Sequence, residues 1–265
     1  MSYFEGNYYS VALQRQVSLC AVLPIDAPSF MTQGNKYYER EMKTLYLLHG
    51  YSENHRAWLC GSAIQEIALK YNIAVIMPHG DNSFYLNQKG SGKQYETFVG
   101  EELVNFTRKT FGLSSKQEDT FIGGLSMGGF GSIHTGLKYS DTFGKIFALS
   151  SAMIVNELKN QKPGFSNDIA DYDYYVTTFG NLDELEESEN NPEFLVKKRK
   201  AEQRKIPPIF MACGTEDFLL LQNREFHKFL IEEGVEVIYN ESEGVHDWRF
   251  WNQYLEPALK WALGE

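Results

Sequence analysis

Cysteine occurs only three times in the chain, at Cys20, Cys60 and Cys213. The set is odd in number, widely spaced and without a CxxC pair, so neither a disulfide framework nor a zinc site is indicated, and reduced thiols in a cytoplasmic compartment are expected. Basic residues are outnumbered: 25 Lys and Arg stand against 35 Asp and Glu, a net charge of −10. Such a chain lacks the clustered positive surface that a phosphate backbone needs, which argues against nucleic acid as a partner. No run of about 18 apolar residues occurs, and the opening MSYFEGNYYSVALQRQ has no basic stretch followed by an apolar one, so neither a membrane span nor an export signal is expected. There is also no HxxxH-type cluster and no phosphate-cradling glycine loop, and no metal or organic cofactor is implied.

What the chain does have is the make-up of a globular protein: 43% hydrophobic and 23% charged residues in a length of 265, enough to bury a sizeable core. A single domain over 1–265 is expected, because α/β folds of this length close around one sheet. VSLCAVLP (17–24) alternates as a strand does and reads as a hairpin or edge-strand opening. Six apolar runs follow: TLYLLHG (44–50), IAVIMPHG (73–80), TFIGGLS (120–126), KIFALS (145–150), PIFMACG (208–214) and VEVIYNESEG (235–244). Near-continuous apolar runs suit strands buried on both faces. Between them, SAIQEIALKY, YETFVGEELVNFTRKTF and NREFHKFLIEEG carry apolar residues at helical spacing. Strand and helix alternate, so the expected class is α/β, with a mainly parallel sheet covered on both faces. Residues 156–205 break the pattern. They are polar, punctuated by Pro163, Gly164, Gly180 and Pro192, and enclose the aromatic DYDYYVTTFGNL. The segment reads either as a long surface connection with two short helices or as a small cap over a site.

GLSMG (124–128) follows the run TFIG and precedes the helix-like FGSIHTGLKY. The pentapeptide alone is weak; a strand, then GxSxG, then a helix is the nucleophile elbow, in which glycines admit a strained turn and a close helix approach. Ser126 is therefore the candidate nucleophile. A serine hydroxyl needs a base in hydrogen-bond reach and a third group to orient that base. In this fold the order is Ser, acid, His, and only His227 and His246 lie beyond the nucleophile's helix. His227 falls inside a helix, whereas His246 sits in the loop EGVHDWRFW, with Asp247 placed to cap the helix that follows. The acid is expected at the end of PIFMACGTEDF, where parallel sheets gather their sites; Asp217 leads and Glu216 is the alternative. Donors for the oxyanion are expected from the backbone N–H groups of Met127 and Tyr51. His49 reads as a brace for the loop that carries Tyr51 rather than as a second base.

LLHGYSENHRAW (47–58), GGLSMGGFG (123–131), CGTEDF (213–218) and EGVHDWRFW (243–251) together resemble the Putative esterase (esterase D-like) family of α/β-hydrolases. That family holds tributyrin, feruloyl and acetyl-xylan esterases, S-formylglutathione hydrolases and secreted mycolyltransferases. The likeness spans about residues 40–262 and is nearest to the short-chain tributyrin-type esterases of Gram-positive bacteria. It implies Ser126, Asp217 and His246 as catalytic residues, Tyr51 and Met127 as oxyanion donors, and Trp58 and Trp248 as aromatics beside the active-site loops. The expected activity is hydrolysis of short-chain carboxylic esters through an acyl-enzyme on Ser126. Alternatives are an acetyl or feruloyl esterase of plant polysaccharide fragments and an S-formylglutathione hydrolase-like thioesterase, with a non-enzymatic interaction module as the contrast. Phe84, Tyr85 and Tyr175 are further candidates for the substrate lining, and the expected partners are a small ester and, as the resemblance suggests, a dimer or tetramer of the chain itself. Cys60, close after the HG loop, reads either as a redox-sensitive neighbour of the site or as a buried thiol.

Overall fold

A computed structural model describes residues 1–265. Eight strands make the main sheet: β1 (Ser2–Ser10), β2 (Arg15–Leu23), β3 (Lys43–Leu48), β4 (Ile73–Pro78), β5 (Thr120–Leu125), β6 (Lys145–Leu149), β7 (Ile209–Gly214) and β8 (Val237–Ser242). They lie in the order β1-β2-β4-β3-β5-β6-β7-β8. β1 and β2 form an antiparallel hairpin and β2 pairs antiparallel with β4; every later pairing is parallel. The apolar runs of β3, β4, β5 and β7 are buried along almost their whole length, because helices cover both faces of the sheet. Alternate residues divide between two cores: Tyr46, Leu48, Ala74, Ile76 and Ile122 face one, while Leu45, Leu47, Val75 and Phe121 face the other. β8 differs: at the sheet edge it stays half exposed throughout, although its sequence is as apolar at the start as its neighbours. β1 was not legible in the polar, aromatic opening, since it is an exposed edge strand whose pairing with β2 rather than its burial holds it.

Helix α1 (Ile64–Tyr71) follows β3. The expected helix from Tyr95 onward runs through a π-helical stretch, Phe98–Glu102, into α2 (Leu103–Phe111), ending on Gly112 at φ 66°. α3 (Met127–Lys138) is buried on nearly all sides, against β3, β5 and β6. The segment 156–205 folds as α4 (Tyr172–Phe179) and α5 (Pro192–Ala201), with a 3-10 turn at Leu185–Glu187. It is not a loose excursion, because Leu158, Tyr175, Phe179, Leu182, Leu185 and Leu195 join the larger core. α6 (Leu220–Glu232) and α7 (Trp248–Leu263) complete the layers. No helix is long and apolar enough to cross a membrane. The three cysteines are unpaired; Cys20 and Cys213 are buried, while Cys60 is exposed, contrary to a buried role for it.

Candidate active site

Ser126 stands between the last residue of β5 and the first of α3, at φ 53° and ψ −119°. A non-glycine residue avoids positive φ unless its surroundings over-determine it. Here they do: the Ser126 N–H donates to the Leu149 carbonyl at 2.9 Å, and the Ser126 carbonyl accepts from Phe130 at 3.1 Å and from Ala152 at 3.0 Å. The flanking glycines are needed for closeness. A Cβ on Gly124 would lie 2.3 Å from the Gly128 carbonyl oxygen, and one on Gly128 would lie 2.4 Å from that of Leu48. α3 therefore seats directly against the ends of β3 and β5, with the serine hydroxyl raised above them.

The Ser126 hydroxyl donates to His246 Nε2 at 3.0 Å. The other ring nitrogen, Nδ1, donates to Asp217 Oδ2 at 2.9 Å, with Oδ1 at 3.1 Å. The carboxylate thus fixes the tautomer that leaves Nε2 free to accept a proton. The Asp217 side chain is wholly buried, 0% exposed against 17% for His246. Burial pushes the carboxyl up, but the hydrogen bond and charge of His246 and the Leu219 N–H at 2.9 Å outweigh it, and the group settles below its ordinary value. It is ionised at neutral pH, where it can stabilise an imidazolium. Glu216, the alternative acid, is turned away: its carboxylate accepts from the Gly244 N–H at 2.7 Å and the Thr215 hydroxyl, also at 2.7 Å. Asp247 caps α7, accepting from Arg249 and Phe250, each at 3.0 Å. His227, in α6, packs on Tyr239 of β8 and does not line the cavity that Ser126 lines.

Because the Asp217 carboxyl is held below its ordinary value, its stabilising contribution is present above the ordinary carboxylate range and fades as pH falls through the lowered one. Asp217→Asn is expected to cut kcat by about 10⁴-fold with little change in KM. The urea-midpoint gap between the variant and wild type should shrink between about pH 7 and about pH 3. A gap that widened in acid would contradict the ionised, paired carboxylate.

Tyr51 and Met127 line the same cavity as Ser126. Neither backbone N–H donates to another group of the protein, so both are unspent. This cavity measures about 420 Å³, and nine of its fourteen lining residues are hydrophobic. Of the aromatics singled out from sequence, Phe84 and Tyr175 line it. The other three do not, which corrects the expectation for each. Trp58 is a core residue whose indole N–H donates to the Leu48 carbonyl at 2.9 Å. Tyr85 is 0% exposed, its hydroxyl donating to the His49 carbonyl at 3.1 Å. Trp248 stacks edge-on to Trp58 and Trp251 and does not line the cavity. The lining that sequence did not single out comes from the connection after β6 and the start of α6: Ala152, Ile154, Ile169, Phe218 and Leu219. Phe218 is 65% exposed yet lies 4.5 Å from the His246 ring; its place directly after Asp217 was the signal that could have found it.

The one cluster of metal-type donors is Glu5, Cys20 and His55, within 4.8 Å of one another. The Glu5 carboxylate already accepts from Tyr3 at 2.6 Å and pairs with His55 and Arg56, and none of the three lines the cavity.

An eight-stranded, mostly parallel sheet in this order, with a serine at the strand-to-helix elbow and an imidazole and a carboxylate from two later loops, makes the protein an α/β-hydrolase. The profile of the Putative esterase family matches residues 28–262, and the chain belongs to that family: it is a carboxylic ester hydrolase. It is 45% identical over 261 residues, 98% of either chain, to an acetyl esterase of Caldicellulosiruptor saccharolyticus. Among solved structures it is similar to the fluorophosphonate-binding serine hydrolase FphF of Staphylococcus aureus, with TM-score 0.85 and 31% identity over 100% of this chain and 99% of that one. It is also similar to the S-formylglutathione hydrolase FrmB of the same organism, with TM-score 0.82 and 31% identity over 99% and 98%.

Proposed function

We propose that the enzyme hydrolyses short-chain acyl esters, of the acetate and butyrate type, through an acyl-enzyme on Ser126. The observation that carries this reading is the hydrogen-bond chain from Ser126 to His246 to Asp217 at the end of an apolar cavity with two unspent N–H donors. Ser126 Oγ attacks the ester carbonyl as His246 Nε2 takes its proton. The developing oxyanion is received by the N–H groups of Tyr51 and Met127, and His246 returns the proton to the departing alcohol. Water, activated by the same imidazole, then releases the acid. A fixed wall at Phe84 supports a short acyl group: this lining ring is wedged against Phe130 at 5.5 Å and Phe179 at 4.9 Å.

The only charged residues of the lining are Glu157 and Asp168; it contains no Lys or Arg. This favours a neutral alcohol portion over a multiply anionic one such as a glutathione thioester. The exposed Phe218 beside His246 and the polar rim of Asn167, Asp168 and Gln222 also suit an acylated sugar, which keeps acetylated oligosaccharides as a second substrate reading.

Turnover of p-nitrophenyl acetate, butyrate and octanoate and of methyl ferulate tests the proposal. Acetate or butyrate is expected to exceed octanoate by about tenfold in kcat/KM. Octanoate as the best substrate would overturn the short-chain reading, and acetylated oligosaccharides turned over well above simple butyrates would select the second.

A further inference from the structure

We propose that Glu53 is a positioning residue that clamps the turn carrying the Tyr51 oxyanion donor, holding it in register with Ser126. The proposal rests on the reading of Tyr51 N–H given above. The direction of that N–H is set by the rotations at Gly50, the residue with the most conformational freedom. Stiffness cannot come from a side chain there: a Cβ on Gly50 would meet Leu125 Cδ1 at 2.8 Å, Glu53 Oε2 at 3.1 Å and Ser126 Cβ at 3.6 Å. It has to be supplied from outside.

Glu53 supplies it at both ends of one residue. Its carboxylate Oε2 accepts the Gly50 N–H at 2.9 Å, and its own backbone N–H donates to the Gly50 carbonyl at 3.4 Å, closing a four-residue turn. Within that turn Ser52 sits at φ 64°, with its N–H held by Asn82 Oδ1 at 2.8 Å. His49 Nδ1–H adds a second bond to the Gly50 carbonyl at 2.7 Å. The His49 tautomer is fixed because the Gly80 N–H donates to Nε2 at 2.8 Å; burial brings the imidazole down to about 4, so it is neutral near pH 7. In a planar trans peptide the carbonyl and the next N–H point in opposite directions. Holding the Gly50 carbonyl on one side therefore aims the Tyr51 N–H to the other, and the carboxylate locks the preceding peptide plane. A charged acceptor makes a stronger hydrogen bond than a neutral one. The carboxylate is half buried, and burial raises its pKa against the opposing pull of the Gly50 N–H.

Glu53→Ala and Glu53→Gln separate the roles. Ala removes the acceptor; Gln keeps one without the charge. With p-nitrophenyl acetate, Ala is expected to lower kcat about 10–100-fold at nearly constant KM, and Gln to stay within about threefold of wild type. Inhibition by an alkyl boronic acid, whose tetrahedral adduct on Ser126 needs the same donors, should weaken in Ala by the same factor as kcat. A folded Ala variant with wild-type kcat, a loss seen only in KM, or Gln as defective as Ala would each overturn the assignment. Hydrogen–deuterium exchange over the peptide containing Gly50 keeps this failure distinct from that of the esterase reading. Faster exchange in Ala is expected whether or not Ser126 turns over esters, and unchanged exchange would remove the clamp itself.

Discussion

Ser126→Ala should lose about 10⁴- to 10⁶-fold in kcat for p-nitrophenyl acetate while its fold and melting temperature stay near those of wild type. The size of the loss follows from what the hydroxyl does and what its removal leaves. Without Oγ there is no bond to form, so His246 has no proton to take and the unspent N–H groups of Tyr51 and Met127 can only polarise a carbonyl that water must attack unaided. The neighbouring backbone bonds that hold φ positive at position 126, to Leu149, Phe130 and Ala152, do not involve the side chain. The variant should therefore be an intact but inert protein. Steady-state kinetics beside a fluorophosphonate labelling assay measure both halves of the claim: the wild type should label and the variant should not. Substantial turnover by the Ala variant would move the nucleophile elsewhere.

Gly128→Ala is expected to act on stability as strongly as Ser126→Ala acts on rate. The added Cβ would stand 2.4 Å from the Leu48 carbonyl oxygen and 2.6 Å from that of His49, distances no relaxed structure tolerates. Both obstacles are backbone atoms, one at the end of β3, where the strand pairs with β5, and one just beyond it. Neither can swing aside as a side chain would. The helix α3 has to lift, at a cost of roughly 3 kcal/mol or more, which for a chain of this size lowers the melting temperature by about 6–12 °C. Since α3 carries Met127 and β3 leads into the turn of Tyr51, the two N–H groups proposed as oxyanion donors would also separate, and kcat should fall with stability. Gly6→Ala is the control: a methyl group added there would have nothing within 4 Å of it, and the melting curve should barely move. Equal melting of both variants would show that the close approach of α3 to β3 is not what holds the elbow.

Much of this arrangement was legible in the sequence because its signals are local. Unbroken apolar runs such as IAVIMP mark strands covered on both faces, and a serine between glycines at a strand end marks the elbow whatever surrounds it. The hydrogen-bonded places of Asp217 and His246 were legible because each follows a strand in the order the fold requires. The lining was not. Trp58 and Tyr85 stand beside active-site residues in the chain, but their polar tips are consumed by the carbonyls of Leu48 and His49, and the rings fill core space. Ile154 and Ile169 reach the cavity because the connection that also carries α4 and α5 folds back against the larger core, a tertiary outcome with no periodic trace. Glu53 went unnoticed for a similar reason: its role lies in a hydrogen bond to a glycine N–H, and no sequence pattern separates that from a solvated charge.

The groups that would make and break bonds are fixed by the ends of β3, β5, β7 and β8, whereas much of the cavity wall descends from the long connection between β6 and β7. The connection thus adds wall to the cavity without carrying Ser126, Asp217 or His246. Insertions and substitutions in the connection can reshape the cavity without disturbing the bond from Ser126 to His246, provided they preserve the few leucines and aromatics that dock it. This division gives a structural route by which proteins that each resemble this chain, an acetyl esterase and an S-formylglutathione hydrolase, could differ in what they accept: a change in one segment would alter the guest and leave the chemistry as it was.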